Sequence, residues 1–184
     1  VSHYTLASEG FYAEFLAPLH GSGVKRSGQP DATVARAGVT AQKLRHLDLL
    51  LLAPLSVRIG EEAGFPLPSP AAVRVPNPVS FIAQKLLIQH DRLPEKRPQD
   101  LLYIHDTLEL FARRLPELAS LWTGTLRPML ARTVAKRIEQ HAAEDFRSLS
   151  HEMESAARIP VDRAIRPERL RATCAYGLSV IFGR

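Results

Sequence analysis

The sequence predicts an α+β chain, with a small mixed or antiparallel sheet region over 1–76 and a helical bundle lobe over 77–184. Three observations predict it. The β-rich runs, FYAEFLAP, LSVRIG and AAVRVP among them, all fall at or before Pro76. Every later segment carries helical period. At 184 residues the chain is also long enough to bury a real core, as one domain or one domain with an appended helical lobe.

The elements follow in order. YTLASEGFYAEFLAP reads as a hairpin, because two β-rich runs flank the turn-formers Ser8, Glu9 and Gly10. Strand alternation places Phe11, Ala13, Phe15 and Ala17 on one face and Tyr12, Glu14 and Leu16 on the other, so a carboxylate stands between apolar neighbours. Glu14 has two readings, a solvated residue on the wet face of an edge strand or a carboxylate aimed into a metal or substrate site. His20 to Gly38 reads as a long loop with four glycines, one proline and the cations Lys25, Arg26 and Arg36. TAQKLRHLDLLLL spaces Ala41, Leu44, Leu47 and Leu51 as a helix over 40–53, with Thr40 as N-cap and Pro54 as its stop. LSVRIG and AAVRVP then form a second strand pair closed by EEAGFPLPSP.

The helical lobe opens with NPVSFIAQKLLIQHDR, where Asn77 is the N-cap and Pro78 the first helical residue. A second helix runs from 98 to 114 with Leu101, Ile104, Leu108 and Phe111 on one stripe. RPMLARTVAKRIEQHAAEDF and PERLRATCAYGLSVIF supply two more, with a shorter helix between them. Their stripes, including Leu115, Leu118, Leu121, Leu130, Val134, Ile138, Leu170, Tyr176, Val180 and Ile181, predict one antiparallel bundle core. Arg113, Arg132, Lys136 and Arg147 are expected in water.

A net charge of +5 and a pI near 9.7 favour an anionic partner such as nucleic acid or a nucleotide. The lone cysteine, Cys174, excludes an intrachain disulfide framework and a cysteine-rich zinc site, and predicts a reducing, cytoplasmic setting. No apolar run approaches the roughly 20 residues of a membrane-spanning helix, and no signal peptide is visible.

Four stretches taken together carry a resemblance. GFYAEFLAP, TAQKLRHLDLLLLAP, VRVPNPVSFIAQKLLIQHDR and KRPQDLLYIHDTLELF resemble the nucleotidyltransferase-like family related to abortive-infection toxins, within the polymerase-beta-type nucleotidyltransferase superfamily. The similarity covers about residues 9–115, and its most specific part is V-P-x-P, a helix carrying Lys85, a basic turn and Asp100. It implies a partial nucleotidyltransferase fold in the sheet region and two-metal chemistry in which carboxylates hold Mg²⁺ against the triphosphate of an NTP. Glu14 matches the place of the third carboxylate, and is therefore the implied catalytic and metal-binding residue. The other two follow a Gly-Ser signature in the superfamily. Gly21-Ser22 comes after the strand and no D-x-D or D-x-E follows it, while the chain begins at Val1 already close to strand-like sequence. The expectation is a fragment or processed chain that is inactive without an upstream segment.

The resemblance also implies that Lys85, Arg92, Lys96 and Asp100 bind substrate. Each has a plainer reading. Lys85, among Ile82, Leu86 and Ile88, either snorkels to the surface or points at an anion. Arg92, Lys96 and Arg97 suit a solvated helix end. Asp100 caps the following helix or orients Lys85, and capping is the simpler role. His105 and Asp106 are helical neighbours whose directions differ by about 100°, which predicts no dyad between them. His141 and His151 are too far apart for an i, i+4 ligand pair, which argues against zinc. Trp122 reads as core. Arg127, Arg132, Lys136 and Arg137 read as a solvated face or an RNA-binding one. Three functions follow: nucleotidyl transfer to a nucleic acid or protein hydroxyl, a non-catalytic basic module binding RNA or a protein partner, or a structural helical lobe.

Overall fold

The computed structural model describes residues 3–6, 11–36, 38–64 and 67–183. The chain forms two compact units, Val1–Leu49 and Leu50–Arg184.

In the first unit, β1 (His3–Leu6) and β2 (Phe11–Glu14) pair antiparallel, with His3 opposite Glu14 and Leu6 opposite Phe11. This is the expected hairpin, although its turn-formers Ser8, Glu9 and Gly10 lie outside the described residues. A second sheet has the order β3 (Leu16–Pro18), β5 (Val39–Leu44), β4 (Thr33–Arg36), in which β5 is parallel to β3 and antiparallel to β4. The run FYAEFLAP therefore changes partners at Phe15, whose carbonyl accepts the Gln42 N–H at 2.8 Å. Phe15 and Leu16 are both exposed, so the expected alternation of faces does not survive this change.

Two expectations are corrected here. The stretch from His20 to Gly38 is not all loop, because it contains β4 and a turn tied by a bridge between Val24 and Pro30. The helix expected over 40–53 is instead β5 followed by a 3-10 segment, Leu47–Leu51. Strands on both sides satisfy the β5 backbone, and a neighbour outside the window can override helical spacing. His46 and Ala53 take left-handed φ values of 57° and 43°, which break the chain direction on either side of the 3-10 turn.

In the second unit, β6 (Leu55–Ile59) and β7 (Ala71–Val75) form the expected antiparallel pair. Helix α1 (Pro78–Gln89) begins at Asn77, whose side-chain carbonyl accepts the Ser80 N–H at 2.9 Å. The same side chain donates its amide to the carbonyls of Leu52 and Ala53, at 2.8 and 3.1 Å. One buried side chain thus starts the helix and holds the preceding backbone.

Helix α2 (Arg97–Leu110) follows, then α3 (Leu115–Leu121), which passes through a π-helical turn, Trp122–Leu126, into α4 (Arg127–Met129). Helices α5 (Arg132–Glu144), α6 (His151–Ala157) and α7 (Pro167–Phe182) complete the lobe. Helix α7 packs on α2, α3, α5 and α6 through Leu170, Cys174, Gly177, Leu178 and Ile181, a buried stripe at helical spacing. Trp122 is buried as expected and meets Phe182 edge-on with centroids 4.9 Å apart. Tyr176 is the correction to the predicted core: it is exposed, because two residues from Cys174 it points to the opposite side of α7. Arg113, Arg132, Lys136 and Arg147 are exposed. No helix among the described residues is long and apolar enough to cross a membrane. Burial, with lesser contributions from Asp106 and Glu109, pushes the Cys174 thiol far above its ordinary pKa, so the sulfur behaves as packing.

The closest approach in this core is at Gly177, where an added Cβ would stand 2.7 Å from Leu108 Cδ2. Leu108 is itself buried and has little room to yield. Gly177→Ala should therefore destabilise the lobe, because overpacking at about 1–3 kcal/mol outweighs a helix-propensity gain of up to about 1 kcal/mol. A lowered urea midpoint with an unchanged m-value is the expected result, and a raised midpoint would show that Leu108 repacks freely.

Candidate functional site

Helix α1 carries Lys85 on a face that is buried from Val79 to Leu87 except for the half-buried Phe81. A lysine there needs a carboxylate partner, since an unpaired buried charge is costly. Asp100, in the first turn of α2, supplies it: Lys85 Nζ donates to Asp100 Oδ1 at 2.7 Å. The same ammonium lies 5.5 Å from the Phe81 ring centre and 5.1 Å from that of Tyr103. Four residues separate Phe81 from Lys85, and three separate Asp100 from Tyr103. Each helix therefore offers one aromatic and one charged group from adjacent turns, and the cation is held against two π faces as well as a carboxylate.

Arg92 takes the remaining oxygen, with Nε donating to Asp100 Oδ2 at 2.8 Å. The Asp100 side chain is only 1% exposed, Lys85 is 10% exposed, and Arg92 is 38% exposed. Two cations on one carboxylate leave a net charge of +1, and Arg92 brings it to where water and ligands can reach. Arg97 extends this basic turn by donating Nε to the Arg92 carbonyl at 3.2 Å and a terminal nitrogen to the His90 carbonyl at 3.4 Å. Lys96, at the end of the 3-10 turn Pro94–Lys96, is exposed.

Of the five residues predicted for the site, Lys85, Arg92 and Asp100 are thus in direct contact, and Lys96 is close to them along the chain. Asp100 is not the simple cap expected, because both of its oxygens are taken by side chains. Arg92 likewise does more than end a helix in solvent. Sequence spacing does not reveal the staple role of Arg97, because only the path of the turn brings residues 90 and 92 back to it.

Glu14 lies in the first unit, exposed, at the last position of β2. Two-metal chemistry needs several oxygen ligands. Among the described residues, no group of three or more potential ligand side chains includes Glu14. The donors of these residues therefore do not fit a two-metal centre by themselves. Gly21 and Ser22 form a turn whose carbonyls accept from the Arg45 guanidinium at 3.2 and 2.9 Å.

His105 and Asp106 require a correction. The nitrogen Nδ1 of His105 lies 3.0 Å from Asp106 Oδ1, because rotation of both side chains overcomes the angle between their Cα–Cβ bonds. His105 is buried and its Nε2 has no hydrogen-bond partner among the described residues, the Glu109 carboxylate being 3.8 Å away. Asp106 is tied in turn to Arg163, and Glu109 to Arg169. The group reads as a link between α2 and the segment leading into α7.

A family model described as "Nucleotidyltransferase" matches residues 1–126. No curated protein and no solved structure matches the chain. The matched stretch contains all five predicted site residues.

The buried pair makes a sharp energetic prediction. Asp100→Ala should cost about 3–5 kcal/mol, since it leaves the Lys85 ammonium buried without a carboxylate. The double change Lys85→Met with Asp100→Leu should recover most of that loss, whereas Arg92→Ala, at the exposed edge, should cost about 0–1 kcal/mol. Chemical denaturation of the three variants checks the order. A single Asp100→Ala as stable as the parent would mean that the carboxylate contributes nothing to holding the lysine.

Proposed function

The chain belongs to a nucleotidyltransferase family, and on that premise we propose that it transfers a nucleotidyl group from an NTP to a nucleic acid or protein hydroxyl. The observation that carries this reading is the Lys85–Asp100–Arg92 cluster inside the family segment. Its surplus positive charge, with Lys96 beside it, suits the triphosphate of an NTP, because a guanidinium and an ammonium both donate to phosphate oxygens. Asp100 is the positioning residue that keeps Arg92 and Lys85 from collapsing onto other acceptors. Arg92 and Lys96 meet the phosphates from the water side, and Lys85 adds charge from beneath.

Glu14 in this reading contributes one carboxylate ligand to Mg²⁺. A divalent ion held by Glu14 together with further carboxylates would supply charge stabilisation and a template for in-line displacement. The paired carboxylates that follow Gly-Ser in the superfamily are not among these 184 residues, and would have to be supplied from outside them.

Calorimetric titration with each of the four NTPs tests the binding half of the proposal. Arg92→Ala and Lys96→Ala should each weaken NTP binding by about tenfold or more, as charge-assisted hydrogen bonds worth about 1.5–3 kcal/mol require. A chain that binds RNA but no NTP, with equal loss on both substitutions, would favour the basic binding module instead. The catalytic half is tested with α-labelled NTPs, Mg²⁺ and RNA or protein acceptors. These 184 residues alone should leave the acceptor unlabelled, and adding a polypeptide that carries the Gly-Ser carboxylates should restore labelling. Labelling by the 184-residue chain itself would show that Glu14 and its own neighbours suffice.

A further inference from the structure

We propose that His90, His141 and Asp145 form a binding site for a divalent transition metal of the zinc class, distinct from any Mg²⁺ held by carboxylates. The three side chains come together in the second unit, each offering one ligand atom, with all three atoms within 4.8 Å of one another. His90 is the residue that closes α1, Asp145 the residue that closes α5, and His141 stands one turn before Asp145. The helices α1 and α5 pack on each other, so the site joins two helix ends.

The distances suit a small ion. With metal–ligand bonds of about 2.0 Å, tetrahedral ligand atoms lie about 3.3 Å apart. His90 Nε2 is 3.1 Å from Asp145 Oδ1, and His141 Nδ1 is 3.6 Å from the same oxygen. Two edges of the ligand triangle are therefore close to metal-bound spacing. The third needs only a small swing of an imidazole, and His90, 51% exposed, is free to make it. The two rings already stack with centroids 4.3 Å apart and planes 26° from parallel, which holds the histidines side by side.

The surroundings also favour a cation. Helix C-termini carry about half a negative charge each, and the C-termini of α1 and α5 converge here with the carboxylate of Asp145. Arg97 is a competing cation, but its guanidinium is turned to the His90 carbonyl and the Arg92 carbonyl rather than to the imidazole edge. On binding, His90 exchanges its hydrogen bond to Asp145 for a metal bond and carries its proton on Nδ1. Two imidazoles and one carboxylate select zinc, cobalt or nickel over magnesium, which prefers oxygen ligands. Three protein ligands leave a fourth position for water. Since α1 also carries Lys85, a metal at this end would fix the helix that holds the buried ion pair.

The test is titration of the untagged chain with Co²⁺, read by visible absorption, followed by displacement with Zn²⁺ and a thermal melt. The expected result is one ion per chain and a melting temperature raised by roughly 3 °C or more at saturating Zn²⁺. His90→Ala should weaken binding at least tenfold and abolish the thermal shift measured against its own metal-free melt, which loses only the His90 contacts to Asp145 and His141. His151→Ala, on the surface of α6, should leave both readouts as in the parent. Equal affinity for the parent and His90→Ala, or loss caused equally by His151→Ala, would overturn the site, and so would a metal-free parent that binds no Co²⁺. Asp145→Asn provides a second variant that retains shape and should also lose tenfold or more.

Discussion

The second unit depends on a single buried carboxylate. Asp100 sits between α1 and α2 and is the group through which Lys85 tolerates burial and Arg92 is held at the rim. The two buried charges, Lys85 and Asp100, would each be expensive alone, and desolvation sets that expense. Their mutual satisfaction fixes the relation between the two helices more narrowly than apolar packing, which accepts many similar arrangements. The Phe81 and Tyr103 rings, neighbours of each other and both close to the ammonium, make the pocket around Lys85 part of the same device.

Around that device the lobe is organised by α7, which touches four other helices along one apolar stripe. Gly177 permits the approach of Leu108, and Trp122 and Phe182 close the far end. The π-helical turn at Trp122–Leu126 lets one chain run from α3 to α4 without a break. Helix α7 packs on α5 as well, and Arg132, Lys136 and Arg137 of α5 stay exposed.

Placement of charge links this architecture to phosphate chemistry. Arg92, Lys96 and Arg97 follow one another around the connection from α1 to α2. The backbone carbonyls of 90 and 92 are taken by Arg97, which keeps that connection compact. A compact turn with a surplus of cations is a surface on which an anion can be bound without large loss of side-chain freedom. At the same end of α1, His90 meets His141 and Asp145, so one helix terminus presents two different chemistries on neighbouring residues.

The sequence by itself determined the α+β order, the helical lobe with its apolar stripes, the Asn77 start of α1, the burial of Trp122, and the residue types Lys85, Arg92 and Asp100. These rest on local periodicity and capping, which a chain carries in nearest-neighbour pattern. Tertiary structure decided the rest. Residues 39–44 became a strand because β3 and β4 flank them, and the β3 partners, more than twenty residues away, are invisible in a local window. Asp100 became a bridge rather than a cap because Lys85 and Arg92 reach it from the preceding helix and turn. His141 and Asp145 stand four positions apart at the end of α5, and His90 joins them only because α1 and α5 end together, a grouping untouched by the spacing that argues against a His141–His151 zinc pair. Local pattern selects elements, whereas charge pairs and ligand clusters arise where separate elements meet, and that meeting is settled by packing.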